Sequence, residues 1–353
     1  MKNLTKKMMA LLLAAVLMLS LAACGGGGNT PSTTKGDDGK TYTLRIGTGS
    51  GGKETQNYFM EQFKEIAEKE SNGKLVVELY PSGSLGNLAQ LTQGVADGSV
   101  DSVCIPTTYF ATVVPSMNLL DVPSLWEDSG HPIKALNSDP ENIFNKEMAE
   151  KGMSVMTYVR NTNRMYLASK DLSKVNSLAD LKALHMTTFC NTTELCQSVV
   201  TALGGTPSNI AVGEMGPALQ NGTLDGALCA CAIFNSLKLY QVAPYMLVQE
   251  NSAQNSVFVI NSEFLGKLPE NLQEIVKKAS KEASDKTFTY GENFEKELID
   301  EMKAGGLNVI TPSENLQKEL DEAYAGVTDA FLKKYTNLQG AYDELVKLAE
   351  KNK

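Results

Sequence analysis

The stretch Gly213-Glu-Met-Gly-Pro-Ala-Leu-Gln-Asn-Gly-Thr-Leu-Asp-Gly226 constrains this chain most, because it reads as a short helix turning into a strand. Pro217 suits a first helical position, where its missing N–H would be unpaired anyway. Gly222 can take the left-handed conformation that closes a helix, and Leu224 then opens a strand. The stretch Leu91–Asp101 repeats the pattern, leading through Gly and Asp into the apolar run Ser102–Pro106. Two like corners far apart in one chain point to two α/β lobes of similar build. A cleft between two lobes is the default place for a ligand.

A length of 353 residues is enough for two domains with real cores. The formal net charge of −9 excludes nucleic acid as a partner, since a phosphate backbone needs a basic surface. At the N-terminus, Lys2, Lys6 and Lys7 precede the apolar run Met8–Leu21, which is too short to span a membrane comfortably. Residues 1–23 therefore read as a cleaved leader. The tetrapeptide Leu21-Ala-Ala-Cys24 resembles a bacterial lipobox, which makes Cys24 the expected lipid-attachment site; a plain secretory signal is the alternative. Residues 24–40 are rich in Gly, Ser, Thr and Pro and read as a flexible tether. The expected location is the outer face of the cell membrane.

Along the body, Tyr42–Ile46 reads as a strand and 54–70 as a helix with Phe59, Phe63 and Ile66 on its apolar face. Strand Lys74–Tyr80, helix 86–97 and strand 99–106 follow. The order β-α-β-α-β implies a parallel sheet. The loop Gly47–Gly52 has neither G-x-G-x-x-G nor Gly-Lys-Ser/Thr and reads as a plain turn, not a phosphate cradle. Met117–Trp126 reads as a packed loop, 140–151 as a helix, and Met153–Arg160 and Arg164–Ala168 as strands crossing between lobes. Leu184–Thr188 reads as a strand, and a helix follows with Asn191 as cap and Glu194 reaching back. Leu224–Cys231 and Ser256–Ile260 complete the strands. Pro269 to about Ala304 forms one helix, long enough to lie across both lobes, and Leu316–Lys351 forms two more.

Several segments, in order after the lipobox, together resemble the substrate-binding proteins of TRAP (tripartite ATP-independent periplasmic) transporters. They are Ser71-Asn-Gly-Lys74, Leu79–Gly86, Gly94–Asp101, Val122–Trp126, Asp180-Leu-Lys182, Leu203–Pro207, Glu214, Ala218–Gly226 and Leu239–Tyr245. The resemblance runs from about Thr41 to Ala304. It implies an α/β, two-lobed periplasmic-binding-protein-like fold with a long helix spanning both lobes. Lobe I would take 41–161 plus about 252–290, and lobe II 162–251 plus about 291–353. The implied function is an extracytoplasmic receptor that captures a small organic acid by hinge closure. It would act as a monomer, without cofactor or metal, and deliver its ligand to a TRAP-type permease. A receptor for an ATP-driven importer is the alternative; the helix after Pro269 favours the TRAP type.

The ligand site departs from the family pattern. The family arginine after the Asp-Leu-Lys turn falls on Thr187, the asparagine after Asp-Gly on Cys229, and an aromatic on Gly216. Threonine cannot make the bidentate carboxylate pair of an arginine. Arg164 matches a second family arginine, expected as an anion anchor, with a structural ion pair as the other reading. Thr187, Thr188, Asn191 and Thr192 are expected at the C-terminal end of a strand, where open α/β sheets bind ligands; Asn191 is equally readable as only a cap. Phe189 replaces a family proline and is the best placed of Tyr109, Phe110, Trp126 and Phe189 to form an apolar wall. Asn235 is a further polar candidate, and Glu214 is expected to hold hinge hydrogen bonds. Of the six cysteines, Cys190 and Cys229 are both expected at strand ends. A disulfide between them and burial as small hydrophobes are the two readings. A hydrolase or thiol enzyme is disfavoured. His185 and Cys190 are the only local base and nucleophile, their side chains diverge across a strand end, and no G-x-S-x-G or H-E-x-x-H occurs.

Overall fold

The computed structural model describes residues 39–191, 193–249 and 254–353. The leader, Cys24, the tether to residue 38 and Thr192 lie outside the described residues. Eleven strands among them form two sheets. The first contains β1 (Tyr42–Gly47), β2 (Leu75–Tyr80), β3 (Ser102–Pro106), β4 (Met153–Arg160) and β10 (Asn255–Asn261), in the order β2-β1-β3-β10-β4. The second contains β5 (Arg164–Ala168), β6 (Thr187–Phe189), β7 (Thr206–Ser208), β8 (Gly226–Ala230), β9 (Tyr245–Leu247) and β11 (Asn308–Ile310), in the order β11-β9-β5-β8-β6-β7.

The expected parallel core is present: β1 runs parallel to both β2 and β3. The returning strand β10 inserts antiparallel between β3 and β4. The chain thus passes from the first sheet to the second between β4 and β5, and back between β9 and β10. The helix Glu270–Ala304 serves both sheets. Its Leu272, Val276, Ala279 and Ala283 pack with Leu44, Phe59, Phe63 and Phe258 of the first half. Its Phe294, Leu298 and Met302 pack with Met165, Leu167, Cys229 and Met246 of the second.

The two helix-to-strand corners are built alike. Gly98 (φ +83°) ends the helix Leu88–Asp97, and Gly222 (φ +77°) follows the helix Met215–Gln220. Pro217 stands third in its helix, not first, and β8 begins at Gly226, later than Leu224. The strand expected from Leu184 begins only at Thr187, because His185 takes a left-handed φ of +46° that no ladder residue can hold. The expected helix 140–151 is present as Ile143–Glu150, and a further helix not expected from the sequence, His131–Ser138, precedes it, with residues 139–142 between them. Met117–Trp126 is not wholly loop, since a 3-10 helix covers Pro115–Asp121. The last helix, Gln339–Lys351, packs beside His131–Ser138, and His131 Nε2 lies 2.9 Å from the Ala349 carbonyl.

A β-carbon at Gly222 would meet no heavy atom within 4 Å, so its positive φ is the whole reason for glycine there. Gly222→Ala is therefore expected to cost about 1 kcal/mol in urea unfolding. Gly222→Asn should cost less, because asparagine tolerates the left-handed region.

Candidate functional site

The crossing from the first sheet to the second is Asn161-Thr-Asn163, and its backbone cannot join either ladder. Other elements satisfy it instead. The Asn163 N–H and Nδ2 donate to the two carboxylate oxygens of Glu295 on the long helix, at 2.5 and 3.0 Å. The Asn163 carbonyl accepts from the Cys231 N–H at 3.0 Å, and Thr162 Oγ1 accepts from the Ala232 N–H at 3.3 Å. Thr55, first residue of the helix Thr55–Glu70, donates to Asn161 Oδ1 at 3.3 Å. Burial lifts the Glu295 carboxyl above its ordinary value, against the hydrogen bonds from Asn163 and the charge of Arg160.

Arg164 follows as the first residue of β5, opposite Ala230 of β8. Its Nη2 donates to Asp121 Oδ1 at 2.8 Å, and the two side chains are only 7% and 3% exposed. Asp121 ends the 3-10 helix Pro115–Asp121, so the pair joins the turns beyond the first sheet to the first strand of the second. Burial opposes the Arg164 charge most, but Asp121 together with Cys196 and Cys229 raises the guanidinium above its ordinary value. Burial also raises the Asp121 carboxyl, with Arg164 pulling the other way.

Beside this pair lies a cavity of about 20 Å³ lined by Asp121, Arg164, Cys196, Gln249 and Tyr324 among others. That is room for about one water. Asp121 Oδ2, Gln249 Nε2 and the Tyr324 hydroxyl are buried here without a partner among the described residues. More such atoms lie on the crossings and the start of β10: Asn163 Oδ1, Gln254 Oε1, both side-chain ends of Asn255, and Ser256 Oγ. Buried polar groups are nearly always paired. The atoms named here gather where the chain passes between the sheets.

The structure sorts the expected site residues. Arg164 is in the junction, as an ion pair. Thr187 is not at a C-terminal strand end: it begins β6, and its N–H donates to Asp225 Oδ2 at 2.9 Å, five residues along β8 from the position opposite Arg164. Asp225 also pairs with Lys170 at 3.3 Å. Thr188 is buried against the Tyr166 hydroxyl at 2.6 Å. Phe189 and Cys229 pack in one apolar cluster with Met165 and Leu219. Trp126 is core: its Nε1 donates to the Leu120 carbonyl and its ring meets His131 edge-on. Asn191 Oδ1 accepts from the N–H and hydroxyl of Thr193, and Thr193 is the residue that caps the helix Glu194–Ala202. Glu194 does not reach back; it binds Lys334 and the Tyr335 hydroxyl. Glu214 is exposed at the start of its short helix. Asn235 Nδ2 is spent on Glu301, far along the long helix.

Asp121, Gln249, Asn255 and Tyr324 were not singled out from the sequence. Asp121 had a signal, as the lone charge in the apolar run Met117–Trp126. Tyr324 had none, because nothing local says that the tail helix Glu314–Lys334 faces this cavity.

Two α/β halves joined by two crossings, with buried polar groups gathered at the joint, are the build of a receptor that closes over a solute. The chain belongs to the bacterial extracellular solute-binding protein family 7, whose model matches residues 46–334. It is 28% identical over 293 residues to the 2,3-diketo-L-gulonate-binding periplasmic protein YiaO of Escherichia coli K12, covering 82% of this chain and 87% of that one. Its fold is similar to that of a TRAP periplasmic solute-binding protein from Haemophilus influenzae with bound L-gulonate (TM-score 0.79, 22% identity, 87% of this chain and 100% of that one). It is also similar to one from Roseobacter denitrificans with bound β-D-glucuronate (TM-score 0.77, 20% identity, 88% and 100%). The protein is thus an extracytoplasmic solute receptor and not an enzyme.

Two predictions follow from the junction. Arg164→Met or Asp121→Asn alone strands a buried group and is expected to cost about 3–5 kcal/mol in chemical unfolding. The double variant Arg164→Met, Asp121→Leu is expected to cost far less than the sum. The second concerns pH. Because the folded Glu295 carboxyl titrates above its unfolded value, its charge costs stability at neutral pH, and that cost fades as pH falls through the raised value. Wild type should therefore gain stability relative to Glu295→Gln on going from neutral pH toward the ordinary carboxylate range, as read by unfolding at each pH.

Proposed function

We propose that the receptor captures a small polyhydroxylated organic acid, of the sugar-acid class, and hands it to a TRAP-type permease. The observation that carries this is the make-up of the junction. One guanidinium stands beside Gln249 and Tyr324, with Asn255 at the start of β10, and each of these three carries a buried polar atom with no partner among the described residues. Arg164 spends one N–H on Asp121 and keeps the rest of its fork for a carboxylate. The amide and hydroxyl groups suit ligand hydroxyls. The relatives named above were found with, or are named for, acids of this kind.

A space of about 20 Å³ admits no sugar acid, so the ligand enters only after the halves part at the two crossings. A ligand touching both halves then favours the closed form by the contacts it gains there. Residues 41–161 with about 252–290, and 162–251 with about 291–353, are the two moving bodies in this reading. Cys24 carries lipid and residues 24–40 tether a monomer to the outer face of the membrane. Replacing Cys24 by Ala should release the protein from the membrane fraction.

A thermal-shift screen tests the ligand class, because a ligand that binds only the folded protein raises its melting temperature. L-gulonate and D-glucuronate are expected to raise it more than the corresponding neutral sugars or succinate. Equal shifts with neutral sugars would remove the acid from the proposal. Arg164→Ala should then weaken the best acid by roughly tenfold or more in calorimetry, and unchanged affinity would take Arg164 out of the site.

A further inference from the structure

The tail covers the face of both sheets that the long helix leaves. Alternate residues of a strand point to opposite faces, so neighbouring residues sort into different clusters. In the first sheet, Cys104 and Phe258 share a cluster with the long helix, while Ile105 and Val257 belong to another. In the second sheet, Met165 and Cys229 pack with the long helix, while Tyr166 and Leu228 belong to that same other cluster. The tail helices Glu314–Lys334 and Gln339–Lys351 supply Leu320, Phe331, Leu345 and Leu348 to it. One apolar cluster therefore runs beneath the tail from the first sheet to the second.

Within the tail, the two helices hold different halves. The strand β11 pairs with β9, and the helix after it stays with the second half. Its Glu319 accepts from the Leu178 N–H at 2.6 Å, and Lys334 and the Tyr335 hydroxyl donate to Glu194 at 2.8 and 2.7 Å. A 3-10 turn, Thr336–Leu338, follows. The last helix then lies against the first half, on His131–Ser138, Ile143–Glu150 and the 3-10 helix Pro115–Asp121. His131 is 4% exposed, and its Nδ1 accepts from the Glu127 N–H at 3.1 Å. That leaves Nε2 as the donor to the Ala349 carbonyl at 2.9 Å. At the border, Ser124 Oγ donates to Asp321 Oδ1 at 3.3 Å.

We propose that the tail is a strap between the halves, anchored to the second by residues 314–335 and to the first by Gln339–Lys351, so that the last helix travels with the first half when the halves part. This rests on the reading that the halves part, and it moves the last helix from the second body to the first. The ground is what each alternative would expose. Carrying the last helix away with the second half would bring Leu345 and Leu348 into water and break the buried His131–Ala349 bond. Lifting Glu314–Lys334 off the second half would expose Leu320 and Phe331 and break the bonds to Glu194. Bending at Thr336–Leu338 keeps both anchorages and gives up the border contacts, the Ser124–Asp321 bond among them.

The test is distance measurement by pulsed electron spin resonance on the full-length protein without ligand. Spin labels are placed two at a time, through an unnatural amino acid, at exposed Glu65 of the first half, Gln220 of the second and Lys347 of the last helix. The expected result is one narrow Lys347–Glu65 distance that matches this structure, with the Lys347–Gln220 and Glu65–Gln220 distances lengthened or broadened together. A narrow Lys347–Gln220 distance beside a broad Lys347–Glu65 one would place the last helix in the second body and overturn the proposal. Broad distances from Lys347 to both other sites would mean a detached helix and overturn it as well. Three narrow distances that all match this structure would remove the parting of the halves itself, and the strap with it.

Discussion

Backbone that leaves a sheet inside a protein must still find partners for its N–H and C=O groups. That requirement falls on Asn161-Thr-Asn163, and it is met by the Glu295 carboxylate, by the first turn of the helix Cys231–Ser236 and by Thr55. Glu295 accepts an unfavourable burial of its own to do so. The halves are therefore held in place by a few directional bonds at the crossing and by the apolar seams of the long helix on either side. The seams on either side of the crossing are apolar and the crossing itself is polar.

The Arg164–Asp121 pair has a second role in that design. A lone guanidinium in such surroundings would be costly to bury. Asp121 makes the burial tolerable and fixes the plane of the fork, and it leaves the junction near neutral. Thr187, held beside Asp225, contributes no charge to the junction.

Much of the fold was legible because its signals are local. Strands β4 and β5 were bounded correctly from their apolar runs, the long helix from its stripe and Pro269, and both corners from their glycines. The short strands β7, β9 and β11 were missed, for three residues carry too little pattern and exist only because a neighbour pairs with them. Of the residues named from the sequence, Arg164 is the one that borders the junction cavity, and it was named through resemblance. Trp126 and Phe189 show the limit: an aromatic beside a cleft and an aromatic in the core have the same sequence signature, and burial decided between them. Gln249 and Tyr324 show the converse, since they reach the cavity only through tertiary packing.

The long helix changes allegiance along its length. Small buried residues, Ala279, Ser280, Ala283, Ser284 and Thr287, line its middle and let it lie close to β4, where Ser284 Oγ donates to the Tyr158 carbonyl at 2.8 Å. Gly291 comes next, with a β-carbon position 3.4 Å from Arg160 and Thr55, and beyond it the helix turns its apolar residues toward the second sheet. Glycine is the weakest link in a helix interior. The rod that ties the halves together thus carries its weakest helix former at the border between the two apolar clusters it serves.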